Sequence, residues 1–341
     1  MARKARPLGV ALQGGGAHGA FTWGILDRLL EDGRFDIQAI TGTSAGSVNA
    51  AALAYGLVTG DRDTARELLE TVWVEVGKKG PGSAMISGSD DDPSLSMLAR
   101  MGKMMTSSLS PTELNPLGID PIREVLEEFV DFERLRETKS RVEMGIAATN
   151  ALNGRVRIFT RKEMTIEAIL ASACLPKIHA AVEIDGKPYW DGGYSSNPPL
   201  TPLLWSGIDD ALIVLIVPLG HEGTPESQLE ISARENEFLF TSGFHRESEM
   251  LAAGIERAQE STWPFVGKLE KQLRRMRWHV MDGGQITGEL HPESRMIAHV
   301  PFLESLRDAG RDYADEWLAE TGVLVGRSST ADLRSFKQLA G

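Results

Sequence analysis

The sequence contains a single cysteine, Cys174, in 341 residues. A chain with one cysteine closes no internal disulfide, so nothing in it points to an oxidising compartment. Cys174 lies in the apolar run ILASACLP and reads as a small buried hydrophobe. Long hydrophobic runs are missing as well. No stretch approaches the roughly 20 apolar residues that cross a bilayer. The basic opening MARKARPLGVALQGGG has no apolar core of a signal peptide before its glycines. A soluble, cytoplasmic protein is the expectation. Positive charge is scarce: 36 Lys and Arg face 48 Asp and Glu, a formal net charge of -12. That balance argues against a basic face for nucleic acid. The rest is ordinary for a globular chain, 42% hydrophobic and 25% charged, at a length that allows one large domain or two.

What the sequence does have is a repeated rhythm. Leu8 to Leu12, LGVAL, reads as a short buried strand. Glycines follow, and then AFTWGILDRLLEDGRF, apolar at helical spacing with Gly33 as its stop. FDIQAITGTSAGSVNAALAYGL repeats strand, tight turn and helix, which argues for a parallel α/β sheet. Residues 77–116 break the rhythm. They are rich in Gly, Ser, Pro and Asp and carry Met85, Met97, Met101, Met104 and Met105, which reads as an irregular insertion with one amphipathic helix near Leu95 to Met105. Further on, Asp120-Pro121 starts a helix, Asn153-Gly154 and Asp185-Gly186 mark turns between strand pairs, and DALIVLIVPL reads as a buried central strand. After His221 charged amphipathic patterns dominate. The division that follows is a catalytic domain over 1–220, with 77–116 as a methionine-rich flap, and a helical C-terminal extension over 221–341.

Two turns carry chemistry. Gly42-Thr43-Ser44-Ala45-Gly46 fits G-x-S-x-G, in which a serine stands exposed on a sharp strand-to-helix turn. There the helix dipole and free N–H groups favour developing negative charge. The plainer reading is a βα turn with Ser44 or Thr43 capping the helix. The run QGGGAHG satisfies G-x-G-x-x-G through Gly14, Gly16 and Gly19. A dinucleotide site would want an acid near the end of the second strand. Asp36 precedes that strand, and the strand ends in the serine turn instead. The other use of the glycines is an oxyanion hole, because consecutive glycines can turn several N–H groups the same way. A serine nucleophile needs a base. Of seven histidines, only His179 in LPKIHAAV offers even a weak triad candidate, and it reads as an ordinary loop residue. Asp191, in YWDGGYSSNPP, ends a short strand before Gly192 and Gly193, which suits an exposed carboxylate at a cleft edge or a plain turn aspartate.

Taken together, GGGAHG, GTSAG, the ASACLP helix end and DGG, in this order from about Leu8 to Val217, resemble the patatin-like phospholipase family. The resemblance implies a three-layer α/β/α fold with a mainly parallel sheet. It implies a Ser-Asp dyad with Ser44 as nucleophile and Asp191 as general base, and oxyanion N–H groups from Gly15, Gly16 and Ala17. It calls for no histidine, metal or cofactor. His18 falls where many members carry arginine; it then donates a hydrogen bond near the site or serves in packing and capping. The implied activity is hydrolysis of lipid esters, of phospholipase A or lysophospholipase type. Simple esters, thioesters or a hydroxyalkanoate polyester would suit the same dyad, and a lipid-binding scaffold with an idle dyad is the reading from another class. The methionine-bearing flap either packs on the core or touches acyl chains and lipid surfaces. Oligomeric state is not legible in these residues.

Overall fold

The protein is described by a computed structural model over residues 5–116, 118–221, 223–261, 267–334 and 336. The first four residues of the basic N-terminus lie outside these. The strand β1 (Arg6–Leu12) leads through the glycine loop into α1 (Gly19–Asp32), which stops at Gly33 in the left-handed conformation. The second unit follows: β2 (Phe35–Gly42), the serine turn, and α2 (Ala45–Thr59), whose small side chains let it lie almost wholly buried against the sheet. Asp61 caps α3 (Arg62–Lys78) by accepting from the Thr64 N–H.

The insertion then forms a small antiparallel hairpin, β3 (Ile86–Gly88) with β4 (Pro93–Leu95), followed by the methionine helix α4 (Met97–Met105) and a single turn α5 (Pro111–Leu114). Asp120 caps α6 (Pro121–Phe129), and α7 (Phe132–Glu137) leads back to the sheet. There β5 (Glu143–Asn150) and β6 (Val156–Thr160) pair antiparallel around the Gly154 turn. The helix α8 (Ile166–Ser172) precedes the hairpin β7 (Val182–Ile184) and β8 (Lys187–Asp191). After α9 (Thr201–Trp205) comes β9 (Asp210–Leu215). The C-terminal segment contributes α10 (Gln228–Glu260), α11 (Lys268–Arg275), a strand β10 (Arg277–Asp282), α12 (Gly284–Gly288) and α13 (Val300–Glu320).

The main sheet runs β10-β9-β1-β2-β5-β8-β7, with β6 on the other side of β5. The five strands from β10 to β5 are parallel; β6 and β8 pair antiparallel with β5, and β7 pairs antiparallel with β8. Both faces are covered, as parallel strands require. The apolar run of β9 divides by alternation: Leu212 and Val214 join the core under α1, α2 and α13, whereas Ala211, Ile213 and Leu215 join the core under α9 and α10. Three layers result.

Charged amphipathic patterning after residue 220 suggested helices alone. That segment also supplies β10, whose register along β9 is fixed by a polar cluster: Asp210 accepts from Arg277 at 2.8 Å, from the Gly326 N–H at 2.8 Å, and meets His279 at 3.1 Å. Among the described residues, no helix is long and apolar enough to cross a membrane.

Candidate active site

Parallel pairing of β1 with β2 ends both strands at one edge of the sheet, so the glycine loop and the serine turn open side by side. Ser44 sits between β2 and α2 with φ 54° and ψ -125°, a positive-φ conformation costly for any residue with a Cβ. Hydrogen bonds hold it there. The Ser44 N–H donates to Ser172 Oγ at 3.0 Å, and the Gly46 and Ser47 N–H groups donate to the Thr43 and Ser44 carbonyls, each at 2.8 Å. A Cβ at Gly14 would stand 2.6 Å from Ser44 Cβ and 2.5 Å from the Thr43 carbonyl oxygen. Only glycine lets the two turns close on each other.

The glycine loop is tied from below and open above. Gln13 Oε1 accepts from the Ile216 and Val217 N–H groups at 2.7 and 2.8 Å. Asn197 brackets Gly14, accepting from its N–H at 2.7 Å and donating to its carbonyl at 3.3 Å. Beyond that point the chain turns through Gly16, at φ 63°, into a short 3-10 turn over Gly16–His18. Among the described residues nothing accepts from the Gly15 or Gly16 N–H, and Ala17, in the first turn of that helix, is likewise left without an intrahelical acceptor.

Asp191 ends β8, the strand paired antiparallel to β5, and its N–H donates to the Cys174 carbonyl at 2.8 Å. Its carboxyl is fully buried. One oxygen, Oδ1, accepts from the Gly193 N–H at 2.7 Å; Oδ2 is buried with no hydrogen-bond partner. Burial pushes the Asp191 pKa up to about 7, against the lowering influence of the Gly193 N–H and of the Ser44 hydroxyl. The Ser44 hydroxyl thus favours the ionised carboxyl, yet Oδ2 keeps no hydrogen-bond partner. Thr43 Oγ1 donates to the Ser196 carbonyl at 2.8 Å, and Gly192 packs on the Ala147 carbonyl and the Thr43 methyl. The loop after Asp191 is thereby sewn to the serine turn. Ser44 itself keeps 8% exposure.

The histidines are engaged elsewhere. His18 Nε2 meets Ser294 Oγ at 2.7 Å, its ring stands edge-on to Phe302 at 6.1 Å, and burial followed by the Arg295 charge holds its pKa well below the ordinary value. It is a neutral side chain tying the glycine loop to the C-terminal segment. His221 binds Glu237 at 2.6 Å, and His179 closes the turn after α8 through its backbone N–H. Cys174 is buried, and burial raises its thiol pKa to about 11; it behaves as the small hydrophobe expected.

Two buried polar residues of this site, Ser172 and Asn197, carry no sequence signature. Gln13 left a faint one, a polar residue at the end of an otherwise apolar strand. The wall opposite comes from α10. Phe240 rests on Gly193, and Glu247 accepts from Ser196 Oγ and the Leu200 N–H at 3.1 Å each.

The fold thus sets a glycine loop and a strained serine turn side by side at one edge of a mainly parallel sheet. The patatin-like phospholipase family matches residues 10–204, and the chain belongs to that family. Among solved structures, VipD from Legionella pneumophila is similar at 13% identity and a TM-score of 0.36, over 92% of this chain and 68% of that one. The type III effector ExoU is similar at 15% identity and a TM-score of 0.27, over 96% of this chain and 77% of that one. No curated protein matches the chain.

Proposed function

We propose that this protein hydrolyses carboxylic esters of lipids, in the manner of a phospholipase A or lysophospholipase, through a Ser44–Asp191 dyad. The observation that carries the reading is Asp191: a fully buried carboxyl beside the strained serine, with a pKa near 7 and a free Oδ2. An aspartate at its usual pKa of about 4 is a weak base for a serine hydroxyl. Burial brings this one close to neutrality, where it is both ionised and proton-seeking. Asp191 takes the proton as Ser44 Oγ attacks the ester carbonyl. The N–H groups of Gly15, Gly16 and Ala17 receive the oxyanion. The alcohol leaves with the proton, and Asp191 then activates water against the acyl-serine.

A fluorophosphonate probe is the direct test. Wild-type protein is expected to take up one label, mapped by mass spectrometry to the peptide containing Ser44. An unlabelled protein, or a label elsewhere, would sink the dyad. A panel of phospholipids, lysophospholipids, simple esters, thioesters and a polyester then sorts the substrate class.

We further propose that the protein works at the rim of lipid surfaces through α4. Met97 and Met105 there are 80% and 79% exposed, with Leu98, Met101 and Met104 exposed between them. Flexible methionines suit a fluid acyl layer. The helix is moored by Arg100, which donates to Glu293 at 2.8 Å, one residue before the Ser294 that holds His18. Replacing Met97, Met101, Met104 and Met105 by serine is expected to cut vesicle binding and turnover of vesicle phospholipid about tenfold, leaving a soluble short-chain ester unaffected. Unchanged vesicle binding would refute the contact.

A further inference from the structure

Arg295 lies outside the residues that match the family, yet it packs against the glycine loop. Its backbone packs directly on Gly16, and the short turn that carries it, Ser294–Met296, is fastened to the glycine loop by the Ser294–His18 hydrogen bond. Its guanidinium Nη2 donates to Glu237 Oε1 at 2.6 Å. Glu237 is a buried carboxylate on α10, and its other oxygen meets His221 Nε2 at 2.6 Å. One turn further along α10, Phe240 rests on Gly193 beside Asp191. The Arg295–Glu237 pair therefore links the turn packed on the glycine loop to α10, whose Phe240 covers the loop of the proposed base.

Beside the glycine loop lie donors without acceptors among the described residues. Arg295 Nε–H is buried and has no acceptor among the described residues; the Gly15 and Gly16 N–H groups are equally free. The charge of Arg295 is felt at His18, which it helps to keep neutral. A buried guanidinium edge without an acceptor is costly, and an incoming anion relieves that cost. The planar fork of arginine matches the oxygens of a phosphate, and two parallel N–H donors give such a pair both strength and orientation.

We infer that Arg295 is a specificity-determining residue that binds the phosphate of a lipid headgroup next to the scissile ester, with Glu237 holding its guanidinium ready until substrate enters. The inference rests on the acyl-ester reading above and names its substrate class as phosphate-bearing glycerolipids. In such lipids only glycerol carbons separate the phosphate from the acyl ester, so one cleft can hold both. Neutral esters would bind without using Arg295.

The test compares wild type, Arg295→Ala and Arg295→Lys on two monomeric substrates, a short-chain phosphatidylcholine and p-nitrophenyl butyrate. Arg295→Ala is expected to lose about 10- to 100-fold in kcat/KM on the phospholipid, the usual worth of a hydrogen bond to a charged group. The neutral ester should change less than about threefold, and Arg295→Lys should recover part of the loss. Equal losses on both substrates, or none on the phospholipid, overturn the inference. A second readout needs no turnover: calorimetric binding of glycerol 3-phosphate and of inorganic phosphate to the Ser44→Ala protein, with and without Arg295→Ala. Glycerol 3-phosphate should bind more tightly than phosphate and should lose that binding with Arg295. Tighter binding of free phosphate, or binding indifferent to Arg295, overturns it. A wild type inactive on every ester would sink the dyad, while the binding result would still decide Arg295.

Discussion

Asp191→Asn is expected to abolish ester turnover and at the same time to raise the melting temperature. The two effects have one cause. A general base contributes about 10²- to 10⁴-fold to a proton transfer, and nucleophile and base act as one unit, so Asp191→Asn and Ser44→Ala should each lose about 10³-fold or more. The stability effect follows from burial. The carboxyl has a pKa of about 7 when folded, above the ordinary 3.8. Between those pH values the folded chain binds a proton that the unfolded chain does not. Its contribution to stability therefore falls as pH rises from about 4 to about 7 and stays low above that. An uncharged amide removes this loss. It can still accept from the Gly193 N–H through its oxygen, and its NH₂ replaces an Oδ2 that has no partner. A gain of about 5 °C at pH 8, shrinking towards pH 4, is the expected melting result. In the wild type kcat/KM should rise with pH through an apparent pKa near 7, because only the ionised carboxyl takes the Ser44 proton. Residual turnover in Asp191→Asn with the same acid limb would show that another group is the base.

Gly24→Ala and Gly310→Ala are expected to destabilise the protein severely, although alanine normally favours a helix over glycine by about 1 kcal/mol. Gly24 lies in α1 and Gly310 in α13, and the two helices cross at backbone contact. A Cβ at Gly24 would run into the Arg307 carbonyl oxygen, and one at Gly310 into that of Phe21. Neither obstacle is the end of a flexible side chain that could swing aside. The helices must separate, opening the core of Phe21, Ile25, Phe302 and Leu306 between them. Overpacking of this kind typically costs about 1–3 kcal/mol and more when backbone must move. A loss near 3 kcal/mol in denaturant unfolding would agree; an unchanged or raised midpoint would mean that the helices cross differently.

Much of this was legible beforehand. Strand, turn and helix repeat plainly from Leu8 to Leu57 because each element has its own period and each turn its own glycine. Ser44, Asp191 and the glycine loop could be placed at turns by the glycines beside them, but their roles came only from the family resemblance. The full burial of Asp191, expected as an exposed carboxylate, is a tertiary effect that its neighbours in sequence do not record. Asn197 and Ser172 could not be named at all. Each acts by bonding a backbone group far away in the chain, Gly14 for one and Ser44 for the other, and no local pattern records such a partner. The strand β10 was hidden for a related reason. WHVM is short, and the charged stretches around it set the texture of the whole segment; its pairing with β9 is a fact of tertiary structure. Arg295 looks like any surface arginine until Gly16 is found against it.

One feature of the wall over the cleft has a mechanical side. The helix α10 runs 33 residues without a break, Gln228–Glu260, about 50 Å at the rise of an α-helix. Glu247, bonded to Ser196, Leu200 and Thr201, pins it at one point, and Glu237, bonded to Arg295 and His221, pins it at a second. The two pins lie about 15 Å apart along the helix axis. Phe240 sits between them, so the ring above Gly193 rests on a span of helix clamped at both ends.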